Sequence, residues 1–195
     1  MVENKNKRIV IGGVPGAGKT TLISLVTKKL NEIGQKTTVV VFGTVMFEEA
    51  VKVGLTSRDE LRKLSIIRQR QLQEMAAKTI AKLEDSIVII DTHLFIRTSE
   101  GYYPGLPMSL LDILRPTHFI MVFAEPEEIA NRRMSDTSRA RDIVSIKDIR
   151  YELDISKVMV AACSIITGSP FIIVMNNDNK AENAVSNIAE VLALE

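Results

Sequence analysis

The chain has 195 residues, 46% of them hydrophobic and 25% charged, with a formal net charge of +1. That balance argues for one sizeable core and against disorder. It offers no basic footprint for nucleic acid or an anionic membrane. No apolar run nears the roughly 20 residues of a membrane span. The single Cys163 has no internal disulfide partner, and the polar start MVENKNKR does not resemble a signal peptide. The expectation is a single cytoplasmic domain over residues 1–195.

The first strand candidate is Arg8–Gly12. Residues 13–20 follow as Gly-Val-Pro-Gly-Ala-Gly-Lys-Thr, a complete G-x-x-x-x-G-K-T between a strand and a helix. Gly16 and Gly18 can take backbone angles closed to other residues, so successive N–H groups turn toward one anion. The helix N-terminus adds partial positive charge. Lys19 supplies a mobile ammonium for β- and γ-phosphates. Thr20 offers a small, hard oxygen suited to Mg²⁺. The expected triphosphate-binding residues are Gly13, Val14, Pro15, Gly16, Ala17, Gly18, Lys19, Thr20 and Thr21.

The helix from this loop ends near Gly34. A strand follows over Thr37–Phe42. A long helix begins near Ser57, where Ser57 and Glu60 have capping-box spacing. The strand Ser86–Asp91 is continuously apolar until Asp91, a carboxylate positioned to hold hydrated Mg²⁺ through water. Thr92–Pro107, with two prolines and two glycines, does not read as scaffold. It leads to a short helix. It carries His93, read as positional, and Arg97, six residues past Asp91, which can reach a second phosphate.

Thr117–Ala124 is the fourth strand, and Pro126 opens a helix through about Met134. Arg132, Arg133, Arg139 and Arg141 crowd into the next short stretch. After a strand of a phosphate-loop protein, such arginines suit a segment that closes over a triphosphate and excludes water. Ser145 and Asp148 mark a helix through Ile166. Pro170–Met175 is the fifth strand, and the last helix starts near Ala181. Alternation of this kind predicts an α/β three-layer sandwich with right-handed crossovers, its ligands at the carboxyl ends of the strands.

The chain resembles the archaeal-type adenylate kinases essentially end to end. The carriers are the loop Gly-Val-Pro-Gly-Ala-Gly-Lys-Thr-Thr, Asp59-Glu-Leu-Arg-Lys-Leu-Ser65 and Asp91-Thr-His93 with Ile96-Arg-Thr98. They continue in Gly101-Tyr-Tyr-Pro-Gly-Leu-Pro107 and Arg139-Ala-Arg141. The resemblance implies a five-stranded parallel sheet of order 2-3-1-4-5 and the reaction ATP + AMP ⇌ 2 ADP with Mg²⁺. It implies an AMP-side segment at about 43–75 and a short lid at about 133–144. Arg62 and Arg97 would hold the AMP phosphate, and the backbone of Gly105, Leu106 and Pro107 would read its adenine. Arg132 would border the ATP base, and Arg139 and Arg141 would close from the lid, with Lys19, Asp91 and Arg97 as their catalytic partners. A homotrimer is also implied. Thr44 follows Gly43 where the family pattern has an aspartate.

Other readings share parts of this set. Another small-molecule kinase, of the pyrimidine-nucleotide or shikimate type, needs the phosphate loop and Asp91 but not Gly105-Leu-Pro107. A GTPase switch needs Asn-Lys-x-Asp, which Asn176-Asn-Asp178-Asn does not supply.

Overall fold

The computed structural model describes residues 6–98, 100–135, 145–178 and 181–193. In chain order the first half contains β1 (Lys7–Gly12), α1 (Lys19–Glu32), β2 (Thr37–Val41), α2 (Phe42–Lys52), α3 (Arg58–Lys63), α4 (Ile66–Ala81) and β3 (Ile87–Asp91). The second half contains β4 (Phe95–Thr98), β5 (Gly101–Pro104), α5 (Met108–Leu114), β6 (His118–Phe123), α6 (Pro126–Ser135), α7 (Ile146–Thr167), β7 (Phe171–Met175) and α8 (Ala181–Ala193).

Five strands form a parallel sheet in the order β2-β3-β1-β6-β7. This is the expected 2-3-1-4-5 order once the hairpin strands β4 and β5 are set aside. Ile9–Ile11, Val88–Ile90 and Phe119–Val122 are buried at the centre of the core. Their continuous apolar runs reflect burial on both sheet faces. Each such side chain contributes about 1.5–3 kcal/mol on leaving water. The Arg8 guanidinium closes the C-terminal end of α4 by donating to the carbonyls of Ile80, Ala81 and Leu83 at 3.2, 2.7 and 3.2 Å.

Three features depart from the sequence reading. The long helix from Ser57 is two helices. Leu64 turns extended (φ −64°, ψ 151°), and Ser65 accepts from the Arg68 amide to start α4 afresh. Residue 68 is arginine, not glutamate or glutamine, so the capping-box pattern did not flag this second start. Phe42 opens α2 instead of ending a strand. The stretch Thr92–Pro107 contains an antiparallel hairpin, β4 on β5, in a two-stranded sheet of its own.

Register sets the site. Ile11 lies beside Asp91 and Gly12 beside Met121, so the loop after β1 emerges between the ends of β3 and β6. Both expected caps form at Ser57 and Ser145, whose hydroxyls accept from the Glu60 and Asp148 amides.

Candidate active site

The phosphate loop leaves β1 at Gly12 and enters α1 at Lys19. Gly16 and Gly18 have φ of +87° and +83°, which β-carbon residues adopt only with strain. At Gly18 a β-carbon would also overlap the Asn176 side-chain amide.

A loop whose N–H groups face a ligand turns its carbonyls outward, and those carbonyls need donors. Three successive ones have them. Arg133 Nε donates to Pro15 O at 2.8 Å, Arg132 Nη1 to Gly16 O at 3.4 Å, and buried Asn176 Nδ2 to Ala17 O at 2.9 Å. The donors are themselves fixed. Arg133 pairs with Glu152 of α7 at 2.8 Å, and Arg132 with Glu128 at 3.2 Å and with Asp178. Arg132 also donates to the Asn176 carbonyl at 3.0 Å. The anion nest is therefore held from behind, and preorganised donors of this kind need little rearrangement when charge arrives.

Inside the nest, Lys19 Nζ lies 2.9 Å from Asp91 Oδ1, both side chains largely buried. Thr20 and Thr21 are exposed on the first turn of α1. A hydroxyl and a carboxylate, both hard oxygen donors at one cleft, fit a divalent cation that keeps most of its ligands as phosphate and water. Among the described residues no group of three histidine, cysteine or acidic side chains forms a protein cage for a metal.

A cavity of about 380 Å³ opens from Gly13–Pro15 and extends to Phe42 and Met46 of α2, Gln73 of α4, and Arg97. Arg97 stands opposite Tyr102 in the hairpin, and Tyr102 packs edge-on against Phe95 and Tyr151 at 5.1 and 5.8 Å. That contact seats the hairpin on α7. The Asp148 carboxyl is held below its usual range, chiefly by the Ser145 hydroxyl and to a lesser degree by the Arg97 charge. Gly105 lines the cavity beneath His93, whose carbonyl a β-carbon at 105 would overlap.

The AAA domain family matches residues 12–150. The chain is 43% identical over 189 residues to the adenylate kinase of Thermoplasma acidophilum, covering 96% of this chain and 100% of that protein. It is 40% identical over 190 residues to the adenylate kinase of Methanocaldococcus jannaschii, covering 96% and 99%. The chain belongs to the AAA-domain family and, within it, to the archaeal adenylate kinases. It is thus an enzyme of the phosphotransferase class.

In fold, this adenylate kinase family member is similar to shikimate kinases. One from Acinetobacter baumannii, in complex with shikimate, has a TM-score of 0.62 at 15% identity over 98% of this chain and 95% of that one. One from Bacteroides thetaiotaomicron has 0.56 at 19%, over 96% and 98%. At these identities the likeness is one of fold alone.

Of the expected site residues, Gly13, Val14, Pro15, Arg97 and Gly105 line one cavity, and Lys19 of the same loop pairs with Asp91. The Leu106 side chain is buried in the core, and Pro107 is the N-cap residue of α5. Arg132, expected to border the ATP base, donates to the Gly16 carbonyl of the phosphate loop. Arg62 lies in α3, its side chain outside the description, and Arg139 and Arg141 fall outside the described residues. Thr44 accepts from Arg58 Nη2 at 3.2 Å.

Sequence reading did not single out Asn176, Glu152 or Gln73. For Asn176 there was a signal, a polar residue ending an apolar strand. Glu152 and Gln73 sit mid-helix, where spacing alone does not separate a buried polar group from a solvated one. No described helix is long and apolar enough to cross a membrane.

Proposed function

We propose that this chain catalyses ATP + AMP ⇌ 2 ADP, with Mg²⁺. The observation that carries the reading is a cavity lined both by the start of the phosphate loop and by Arg97. Donor and acceptor phosphates, in this reading, take adjoining seats, with Lys19 the cation of one and Arg97 of the other. In this reading the loop amides and Lys19 hold the β- and γ-phosphates, which draws Lys19 from Asp91. Thr20 and, through water, Asp91 would hold a Mg²⁺ ion, which would offset phosphate charge. Arg97, with Arg62, holds the AMP phosphate. An oxygen of that phosphate attacks the γ-phosphorus as the bond to the β-phosphate oxygen breaks. The acceptor is already an anion, so no general base is required, and positioning with charge stabilisation carries the rate.

The same reading takes residues 43–75 as the AMP-side segment and 133–144 as a lid supplying Arg139 and Arg141. Arg133 anchors the start of that lid to Pro15. A cytoplasmic location and a homotrimer belong to the same reading. The test is ADP formation from ATP plus each nucleoside monophosphate, with shikimate as a further acceptor and diadenosine pentaphosphate as inhibitor. We expect AMP to lead and the bridging inhibitor to block turnover. Preference for another acceptor overturns the reading.

A further inference from the structure

Gln73 is a polar side chain in a mostly apolar wall. It lies on α4, only 5% exposed, and lines the cavity with Phe42, Met46 and Leu94. Its carboxamide has two chemically opposite ends, and which end faces a ligand decides what it can recognise. Here a neighbour settles that choice. Arg70 Nη1 lies 2.8 Å from Gln73 Oε1. A guanidinium only donates, so the atom facing it must be the amide oxygen. The guanidinium is anchored by its other nitrogen, Nη2, which donates to Pro104 O at 3.1 Å at the foot of the hairpin. Burial lowers the Arg70 pKa, but an arginine remains charged at any pH the enzyme meets. The lock therefore does not titrate away.

We propose that Gln73 is a specificity residue for the acceptor base, presenting Nε2 as a fixed donor, and that Arg70 is the positioning residue setting its sense. This rests on the proposed function, which puts the acceptor nucleoside in this cavity. A fixed donor favours a base whose ring nitrogen accepts. Adenine N1 accepts, whereas hypoxanthine and guanine carry N1–H and meet Nε2 donor to donor. A buried polar group left unmatched discriminates more strongly than lost apolar contact. Gly105, next in chain to the Pro104 that anchors Arg70, faces the same cavity, so base wall and hairpin are set together.

The experiment measures kcat/KM for AMP and IMP, with ATP kinetics alongside, in the parent, Gln73→Leu and Arg70→Ala. Gln73→Leu is expected to raise KM for AMP about tenfold, the scale of one hydrogen bond, with ATP KM little changed. Arg70→Ala is expected to narrow the AMP-to-IMP ratio by improving IMP, because a released carboxamide can rotate and accept from N1–H. A merely structural role would lower both acceptors together and leave the ratio fixed. If Gln73→Leu does not fold, the Arg70→Ala ratio decides alone. Parent enzyme that ignores AMP sinks the proposed function. Parent enzyme that uses AMP well, with the ratio unmoved in the variants, sinks only the role of Gln73.

Discussion

The side-chain amide of Asn176, at the end of β7, donates to the carbonyl of Ala17 in the phosphate loop across 2.9 Å. Its backbone amide bonds Phe123 O at 2.7 Å, and its carbonyl accepts from Arg132. One residue thus ties the loop to two strands and to α6. Asn176→Ala leaves Ala17 O without its donor and opens space beside Gly18. We predict a loss of about 1–3 kcal/mol in stability and a raised KM for ATP, with KM for AMP little affected. Chemical denaturation and separate substrate titrations check this. Unchanged ATP kinetics would remove Asn176 from loop positioning.

The Lys19–Asp91 pair predicts different outcomes for folding and for turnover. Lys19→Met leaves a shielded carboxylate unpaired and should lower nucleotide-free stability by about 1–3 kcal/mol. It should cut kcat on the order of 10²-fold or more, as for one preorganised charge at a transition state. Adding Asp91→Asn should restore most of the stability and none of the activity, because the two sites are coupled. Thermal melts without nucleotide, run beside a coupled assay, separate the two effects. Additive stability losses would mean that the pair is not formed in solution.

Arg97→Ala should act on the acceptor side. We predict a higher KM for AMP and a lower kcat with little change for ATP, equivalent to about 1.5–3 kcal/mol for one charge-assisted contact. Arg62→Ala should do the same more mildly, and the double variant should be non-additive. Steady-state kinetics with each nucleotide varied in turn decide it. Variants that weaken ATP instead would move the acceptor site elsewhere.

Glu49 predicts a pH effect on folding. Buried on α2, it accepts from Lys52 at 2.7 Å and from Thr79 of α4 at 2.8 Å. Lys52 first and Thr79 second hold its carboxyl below the usual glutamate range. A folded pKa depressed in this way adds stability above the ordinary range, and that stability is lost as pH falls through it. Glu49→Gln should therefore cost about 1 kcal/mol near neutrality, with the gap to the parent closing below about pH 4. Denaturation at several pH values tests this, and a constant gap would contradict it.

The sheet and the phosphate loop were legible because each rests on local pattern. Buried parallel strands read as apolar runs, and G-x-x-x-x-G-K-T fixes a backbone shape within a few residues. The hairpin was not legible. Its strands are four residues each, and aromatic contacts to α7 stabilise it, with Tyr102 meeting Tyr151 far along the chain. The same holds for the loop clamp. Arg133 stood out as one of several arginines, yet only the fold brings it to Pro15 and Glu152. Short-range spacing reveals groups that act on their neighbours in sequence, and these groups act between elements, across 118 positions for Arg133 and Pro15.

Because Arg97 rides on a hairpin outside the main sheet, inheritance of this frame is divisible. The nest and Lys19 are built into β1, α1 and the ends of β3 and β7, where most changes also disturb the core. The hairpin has fewer attachments, chiefly the Arg70 bond to Pro104, the Tyr102 contact with Tyr151 and the packing of Gly105 under His93. Mutations at exposed positions of the hairpin strands β4 and β5 can therefore be sampled with little penalty to donor binding. A lineage with this architecture can exchange what it phosphorylates while keeping how it phosphorylates.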